Sequence, residues 1–589
     1  MKFKRFFLRH SLNFQKIKIK ARNLDAEDFQ KAYIVVSKRL YRVIHLRNLV
    51  AFCLVFIIVV FSMFISSFNT IEAFYNKDNP LSGGTYAEGN LGKFSRINPL
   101  YSQTNPNDED AVNLIFSGLM KRGDNRSLKT DMASKWTLSE DKKTYTFELK
   151  KGVKWHDGVE FSADDVLFTI ELIQNPDARS SLYEAWKGVK AEKTEKGEVK
   201  FTLGEPSDSF LENTTLKILP KHILAKIPPA SIQTVDFNTK PVGTGPYEFD
   251  SLTKESGRET LIMSLNDKYY DKKPYLTKVM LESFLDEKEM MDEYNKRNIK
   301  GIGNPTQGLV DKIGKEGSTS LHEYALPRYV AMFFNVESEK LKEKNLRVAI
   351  NQAVDRKDIL EKAAEGRALP AYYPIAPGLA SQTGIKVESK GDIGKASETL
   401  KGASYTLESG QLKYQGKDVT LKIATGDTVE LKKTAEIVAD ELKKLGIKTE
   451  IKSENMNVLQ KDYIRPRNYD ILIIGEDLGL TPDLFSFWHS SQVNDPGLNF
   501  SKYKDRKLDK FIEVARKTTD ATEKKSKLEE IQKIILEDVP AVYLYNPFYV
   551  FITSDKVKGV RDGKMISPSD RFEDIENWYL KADRVMIDG

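Results

Sequence analysis

The side chains best suited to catalysis or metal binding are few and scattered. The chain has 589 residues with six histidines and a single cysteine, Cys53. The histidines are His10, His45, His156, His222, His322 and His489. None lies at metal-ligand spacing from another histidine or from the cysteine, and no Gly-x-Ser-x-Gly, phosphate-loop or Gly-x-Gly-x-x-Gly pattern occurs. Among 85 acidic residues no carboxylate pair stands out for glycosidase-type chemistry. We therefore predict a protein that is not an enzyme and uses neither a metal nor a cofactor.

One glycine-rich stretch, Gly243–Tyr247, invites comparison with phosphate-binding loops. Pro246 removes a backbone donor, and no helical pattern follows it. The stretch is therefore predicted to be a tight turn that leads into a strand at residues 247–249.

An apolar segment near the N-terminus determines where the rest of the chain lies. Residues 48–69 carry no charged side chain, and Leu49–Phe68 supply about the 20 apolar residues that a helix needs to cross a bilayer. The preceding 47 residues hold 13 Lys or Arg and three acidic residues. Positive charge stays on the cytoplasmic side. We predict an uncleaved single-pass anchor in the cell membrane, with the N-terminus cytoplasmic and the large C-terminal part extracytoplasmic.

Charge outside the predicted anchor argues against a nucleic-acid partner. The whole chain has a formal net charge of +6, but the first 47 residues contribute +10, which leaves the remainder near −4. The basic tail is expected to set the orientation of the chain in the membrane and to bind anionic lipid headgroups. Alternatively, Ala26–Leu40 could form a small partner-binding helix. A lone cysteine excludes intrachain disulfides, so stability must come from the buried core.

The second half of the chain has the periodicity of an α/β fold. Val419, Leu421 and Ile423 alternate as in a strand, and a helical stripe follows from Leu431 to Leu445. Gly446 stands where a helix ends, and Ile447 resumes the strand period, which together predict a βαβ unit with parallel strands. Further patterns predict a buried strand at 471–474, helices around 508–515 and 528–535, and a strand at 541–552 interrupted at Asn546-Pro547.

Earlier in the chain, two local patterns are clear. Thr144–Leu149 alternates with Tyr145, Phe147 and Leu149 on one face, as expected of a strand. Ser162 with Asp165 three residues later predicts a helix start with a capping box.

A series of short motifs in order resembles family 5 extracellular solute-binding proteins, the peptide-binding receptors of ABC importers. Pro241–Tyr247 reads PVGTGPY and is similar to the family's PxGTGPY signature. Other similar stretches, in the family's order, are Ile97–Leu100, Ile115–Leu119, Met132–Trp136, Thr144–Phe147, Val153–Gly158, Phe161–Val166, Met332–Asn335, Arg347–Ile350, Pro482–Ser490, Asn499–Phe500 and Val539–Tyr543. The resemblance spans about residues 83–555.

The resemblance implies an α/β, bilobed fold of the periplasmic-binding-protein type (type II, Venus flytrap) with an inserted subdomain. Projected onto this chain, the parts are a tail at 1–47, a transmembrane helix at 48–69, a linker at 70–82, a first lobe of 83–120, 206–322 and 546–589, an insert at 121–205, and a second lobe at 323–545. It further implies capture of extended peptides between the lobes and partnership with the permease subunits of an ABC importer.

Relatives that bind peptides use an Asp just beyond a second-lobe strand to take the ligand's α-ammonium. The strand predicted at 471–474 is followed by Glu476 and Asp477, and ligands lie beyond the carboxyl ends of strands in open α/β sheets. Asp477 is the first candidate, with Glu476 and Asp483 as rivals. Leu478 stands where the family commonly has an aromatic residue, and the usual Trp is missing, so capture of an amino terminus is open.

Five further residues are candidate ligand contacts: Trp488, His489, Asn499, Tyr101 and Gln103. Each has an equally plain structural alternative, such as a packed Trp or a His that bonds within its own loop. No ligand contact is expected from His156.

Three other functions remain open from the sequence. The same bilobed receptor could sense a peptide and signal through the tail, bind a sugar, nickel chelate or haem, or be a hydrolase.

Overall fold

The computed structural model describes residues 26–586 apart from 124–125, 208, 256, 314–317, 377–386, 402, 404, 480–482, 519 and 562. Several side chains of the first helix and of the terminal strands also lie outside that description. The chain forms two compact units, Met1–Asn79 with Ala582–Gly589, and Pro80–Lys581.

The first unit contains one long helix, Ala26–Tyr75, and a pair of strands, Asn76–Pro80 with Ala582–Met586. The predicted membrane segment at 48–69 lies within this helix, although several of its side chains are outside the description. Among the residues that are described, no helix combines the length and apolar character required to span a bilayer.

A twelve-stranded sheet runs through the second unit. In spatial order its main path is Lys448–Glu454, Thr420–Gly426, Ile471–Asp477, Arg328–Phe334, Ala541–Ser554, Gly301–Ile302, Thr85–Leu91, Lys278–Phe284, Arg258–Leu265 and Tyr247–Glu255. Thr319–Ala325 and Ala368–Pro370 also pair with Ala541–Ser554. The sheet thus has two halves that meet at one strand.

We call Ala541–Ser554 the shared strand. Its first part pairs with Arg328–Phe334 as far as Tyr545, and its last part pairs with Thr319–Ala325 from Phe548 onwards. The predicted interruption at Asn546-Pro547 is wrong, because the strand is continuous there. Pro547 has no N–H to give a ladder, and at this point the shared strand changes partner instead of ending.

The predicted βαβ unit is confirmed in the second half-sheet. Thr420–Gly426 and Lys448–Glu454 are parallel, and the helix Val429–Lys444 connects them, with the Thr428 side chain accepting the backbone N–H of Leu431 as its N-cap. The other helices of this half are Lys344–Ala353, Arg356–Lys362, Ile393–Lys401, Met456–Val458, Phe485–Trp488, Arg506–Lys517 and Ala521–Asp538, and a small sheet comprises Tyr405–Glu408, Gln411–Tyr414 and Lys417–Asp418.

The first half carries an added four-stranded sheet in the order Ala133–Leu138, Thr144–Leu149, Val199–Thr202 and Lys190–Lys193. Its helix Ala163–Gln174 begins with the predicted capping box of Ser162 and Asp165. Other helices here are Pro106–Ile115, Tyr183–Trp186, Phe210–Asn213, Lys221–Leu224, Glu287–Asn295 and Gln307–Ile313, and the short strands Met120–Arg122 and Leu128–Thr130 pair.

Buried apolar side chains follow the two half-sheets rather than filling one common core. Two clusters belong to the first half and two lie on opposite faces of the second half, within the described residues. Ile471 and Ile473 face one of the second-half clusters, whereas Leu472 and Ile474 face the other. This alternation fixes which way each residue at the end of that strand points.

The glycine-rich turn is explained by a close backbone approach. Gly245 N–H donates to the carbonyl of Ile115 at 2.8 Å, and a Cβ built on Gly243 would lie 1.9 Å from the same oxygen. His156 closes the turn from the other side, since its Nδ1 accepts Gly243 N–H and its Nε2 lies 3.1 Å from the Gly245 carbonyl. The prediction of a structural turn is confirmed, and two motifs far apart in sequence dock on each other.

Replacing Gly243 by Ala should destabilise the fold by about 1–3 kcal/mol, because the new methyl group overlaps the Ile115 carbonyl oxygen. Gly204→Ala is the matched control, since no atom lies within 4 Å of its built Cβ. Chemical denaturation of both variants measures the difference. Equal unfolding midpoints would contradict the packing constraint.

Candidate functional site

The chain just beyond the strand Ile471–Asp477 approaches the first half of the molecule. Gly479, two residues beyond the strand, approaches Glu212, because a Cβ built on Gly479 would lie 3.9 Å from both carboxylate oxygens. Glu212 also lines a cavity of about 220 Å³ in the first half. We call this cavity the cleft cavity; its polar lining includes Gln103, Glu109, Arg122, Glu212, Lys217 and Glu573.

The cleft cavity is lined by charged groups that are already partly paired. Arg122 lies between two carboxylates, at 3.0 Å from Asp570 and 3.6 Å from Glu212. Lys217 pairs with Glu573 at 3.3 Å, and both side chains are largely buried. The wall can therefore hold a polar or charged solute, and it presents charges of both signs.

Glu109 lies on the helix Pro106–Ile115, which places Glu109, Val112 and Asn113 on one cavity-facing side. Burial raises the pKa of Glu109 to about 7, although Ser567 Oγ donates a hydrogen bond to its Oε1 at 2.9 Å. This carboxyl is close to half-protonated at neutral pH.

Glu476 is buried in the core of the second half and is not exposed at the surface. Its side chain is on the Leu472 and Ile474 face, 4% exposed, and it accepts the Tyr329 hydroxyl at 2.7 Å. Burial raises its pKa to about 8, so the carboxyl is mostly neutral at pH 7. Its other oxygen has no partner among the described residues. A neutral, enclosed acid is poorly suited to taking a ligand cation.

Asp477 is exposed at the last position of the same strand and points away from Glu476. Its neighbour Leu478 donates its N–H to the Pro327 carbonyl at 2.8 Å, which fixes the backbone that carries it. Asp477 therefore remains available at the strand end that faces the first half.

Asp483 is engaged by its own loop and by the helix Arg506–Lys517. Its Oδ1 accepts the N–H of Phe485 at 3.1 Å, and its Oδ2 lies 3.2 Å from Arg516 Nε. The same guanidinium lies over the Phe485 ring at 4.6 Å. These contacts give Asp483 a structural role.

Trp488, His489 and Asn499 also form internal contacts. Trp488 is 1% exposed in the second-half core. His489 stacks on Phe485 with ring centroids 4.3 Å apart, and its Nδ1 lies 2.8 Å from Ser491 Oγ. Asn499 is fully buried and donates to the carbonyls of His489 and Tyr503. These contacts hold all three side chains within the second half of the molecule.

Tyr101 and Gln103 differ although they lie two residues apart. Tyr101 is 6% exposed, and its hydroxyl donates to the Ala178 carbonyl at 2.7 Å. Gln103 lines the cleft cavity, with its Nε2 on the Pro99 carbonyl and its Oε1 accepting the Ser181 hydroxyl. Of the candidate ligand contacts predicted from the sequence, Gln103 is the one that lines the cleft cavity.

Glu109, Arg122 and Glu212 were not singled out from the sequence. The i, i+3, i+4 spacing of Glu109, Val112 and Asn113 is a signal that becomes readable only once a helix is assigned. Arg122 and Glu212 approach each other from positions 90 residues apart, which no local pattern encodes. In the described part of the chain, no group of three or more His, Cys, Asp or Glu side chains is arranged to hold a metal ion.

Comparison with known proteins gives consistent matches. Residues 127–496 match the family model for bacterial extracellular solute-binding proteins, family 5 middle. The oligopeptide-binding protein AppA of Bacillus subtilis is 29% identical over 521 residues, which cover 85% of this chain and 92% of AppA.

Two solved structures extend the comparison. AppA from Bacillus subtilis in complex with a nonapeptide is 27% identical, with a TM-score of 0.70 over 85% of this chain and 100% of that chain. NikZ from Campylobacter jejuni in complex with Ni(L-His) is 27% identical, with a TM-score of 0.70 over 84% and 99%. These similarities confirm the predicted α/β bilobed fold.

The raised pKa of Glu476 predicts how stability depends on pH. From about pH 4.5 to about pH 8 the unfolded chain releases this proton while the folded chain keeps it, so the free energy of unfolding falls as pH rises. Glu476→Gln removes this titration. Across that pH window, the free energy of unfolding of the wild type should therefore fall by on the order of a few kcal/mol relative to that of the variant.

Chemical denaturation at pH 5, 6.5 and 8 measures this dependence. Glu195→Gln, at an exposed turn, is the control and should follow the wild type. A Glu476→Gln profile parallel to that of the wild type would show that the buried carboxyl does not titrate in this range.

Proposed function

The chain belongs to the bacterial extracellular solute-binding proteins of family 5, and we propose that it captures extended peptides between two lobes for an ABC importer. The observation that supports this most is the cleft cavity, a polar space in the first half whose lining residue Glu212 is approached by Gly479, two residues beyond the strand that ends at Asp477. Closing of the lobes on a peptide would create the surface that a permease recognises. The protein would bind its solute without changing it.

The proposed lobes are 83–120, 206–322 and 546–589 for the first, 121–205 for its insert, and 323–545 for the second. The separate buried clusters of the two half-sheets support this division. Chain crossings between the half-sheets occur at Leu326-Pro327 and at Asn546-Pro547, so we propose these two places as the hinge.

Asn546 links the two crossings. Its side-chain amide donates to the carbonyl of Leu326 at 2.8 Å and to that of Arg328 at 2.5 Å. Leu478, next to Asp477, donates to Pro327 in the same turn. The loop that would meet the ligand is thereby attached to the hinge, which couples ligand contact to lobe position.

Within the closed site, peptide recognition would rest on main-chain hydrogen bonds, which are independent of side-chain identity. Water in a roomy polar cavity can remake hydrogen bonds to varied side chains. Of the predicted contacts, Asp477 and Gln103 fit this role best. Glu476, Asp483, Trp488, His489, Asn499 and Tyr101 fit a supporting role, since each is held by contacts within the chain.

A non-peptide solute is the alternative ligand. NikZ, similar in fold and 27% identical, holds Ni(L-His), so membership of the fold does not fix the ligand class. Native mass spectrometry of the full-length protein purified from its host would separate the two, by the mass and isotope pattern of any co-purified ligand.

We further propose that residues 48–69 anchor the protein in the membrane, on the support of their uncharged apolar sequence and the basic residues before them. Alkaline carbonate should then leave the full-length protein with the membrane, whereas a chain starting at residue 70 should be released. Extraction of the full-length protein by carbonate would exclude the anchor.

Asp477→Ala should weaken peptide binding by more than about 2 kcal/mol if Asp477 pairs with a buried ammonium group. Calorimetric titration with alanine peptides of graded length measures the loss. Asp267→Ala, which removes an exposed aspartate of the first half, is the control. Unchanged affinity in Asp477→Ala would remove this residue from the site.

A further inference from the structure

Arg328, the first residue of the strand Arg328–Phe334, carries a guanidinium without a partner. Its Nε is buried and makes no hydrogen bond, and among the described residues no carboxylate forms an ion pair with it. Arg347 and Arg356 of the same lobe differ, because every side-chain nitrogen of each donates to a carbonyl or amide oxygen. A buried donor that lacks an acceptor is unfavourable, so an anion bound at Arg328 would be stabilised.

Arg328 stands directly opposite Asp477. The two residues are register partners in the antiparallel pair of Arg328–Phe334 with Ile471–Asp477. Such partners have Cα atoms about 4.5–5.5 Å apart, and their side chains lie on the same face of the sheet. One cation and one anion therefore lie side by side at this strand end, and the two do not form an ion pair with each other.

Glu430 is a second acid near Arg328. It lies in the first turn of the helix Val429–Lys444, and its Oε1 is buried without a partner in the described part of the chain. Burial raises the pKa of Glu430, whereas the Tyr545 hydroxyl and the charge of Arg328 oppose this rise. Arg328 thus acts on Glu430 through space, but no ion pair joins them, and the guanidinium keeps its capacity to bind an anion.

The backbone around Arg328 is fixed while its side chain stays within reach of a solute. The Arg328 N–H donates to the Leu326 carbonyl at 2.8 Å, and the Arg328 carbonyl accepts the Asn546 amide at 2.5 Å. Arg328 is partly exposed, and Asp477 beside it is exposed. The pair of charges is therefore held in place next to the proposed hinge.

From this arrangement we infer that Arg328 is an anion subsite, which takes a carboxylate of the ligand next to an ammonium group held by Asp477. The inference rests on the proposed function and adds a ligand class to it, namely solutes that carry an ammonium and a carboxylate close together. Arginine can bind a carboxylate through two parallel hydrogen bonds, which would give the buried donor its acceptor. Two ligand charges would then balance two protein charges as the lobes close.

Two kinds of solute carry this pair of charges. In a peptide, the carboxylate would be an acidic side chain close to the free amino terminus, and in a free amino acid it would be the α-carboxylate. The carboxyl terminus of an extended pentapeptide is excluded, because each residue adds about 3.3 Å and the two ends lie roughly 16 Å apart.

Titration calorimetry of the full-length protein in detergent at pH 7 tests the subsite. The probes are pentaalanine amides with a free amino terminus and one aspartate at each position in turn, and the matched set with asparagine. Aspartate at the first or second position should strengthen binding at least tenfold over asparagine. Arg328→Gln should abolish this preference, Arg328→Lys should keep part of it, and Arg465→Gln, which removes an exposed arginine of the same lobe, should keep all of it.

The asparagine peptides show whether Arg328→Gln acts on the ligand or on the protein. Their affinity should be the same in the variant and the wild type, because they place no carboxylate on Arg328. An equal loss of affinity for aspartate and asparagine peptides would overturn the subsite and make Arg328 a residue that positions Asp477.

The remaining outcomes separate the subsite from the proposed function. Equal binding of aspartate and asparagine peptides to the wild type would overturn the subsite and leave peptide capture intact. Binding of none of the peptides would contradict peptide capture, and L-alanine and L-alaninamide, which differ in the carboxylate, then decide. Binding of L-alanine alone that Arg328→Gln removes would support the subsite, and any other result with these two solutes would overturn it as well.

Discussion

A single continuous strand, Ala541–Ser554, constrains the whole second unit, because both half-sheets use it as a member. If one half-sheet rotated against the other by breaking this strand, the strand would lose its backbone hydrogen bonds to its neighbours. Such a rotation is therefore unfavourable. We propose that motion is concentrated at the places where partners change, at Asn546-Pro547 and at Leu326-Pro327. Asn546 supplies with its side chain the bonds that Pro547 cannot give.

Buried acidic side chains are held differently in the two halves of the molecule. Deep in the first lobe, Arg571 binds Asp110 and Glu88 and so fixes the C-terminal segment to the strand Thr85–Leu91 and to the helix Pro106–Ile115. The same helix carries Glu109 to the cavity wall. In the second half, burial raises the pKa of Glu476 to about 8, whereas the neighbouring Asp477 is exposed. Buried carboxylates of the first half are thus paired with an arginine, whereas the buried carboxyl of Glu476 in the second half accepts a tyrosine hydroxyl.

Local patterns sufficed to predict the βαβ unit, the capping box at Ser162 and the turn at Gly243, since each depends on residues close in sequence. The same patterns could not reveal that the shared strand continues through Pro547, because the reason is a change of partner 220 residues away. The cleft cavity could not be predicted from the sequence for a similar reason. Arg122, Glu212 and Asp570 come together only after the chain has folded, and a charged residue in a short loop reads the same whether it lines a cavity or meets solvent.

Distance measurements between spin labels most directly test whether the two lobes close about this hinge. Labels at the exposed positions Glu195 and Lys417, in full-length protein with Cys53→Ser, report on the insert and the second lobe. Saturating amounts of the tightest-binding peptide should shorten the distance between them and narrow its distribution, while a pair of labels at Lys417 and Lys507, both in the second lobe, should stay unchanged. An unaltered distance between Glu195 and Lys417 at full occupancy would contradict closure on a solute.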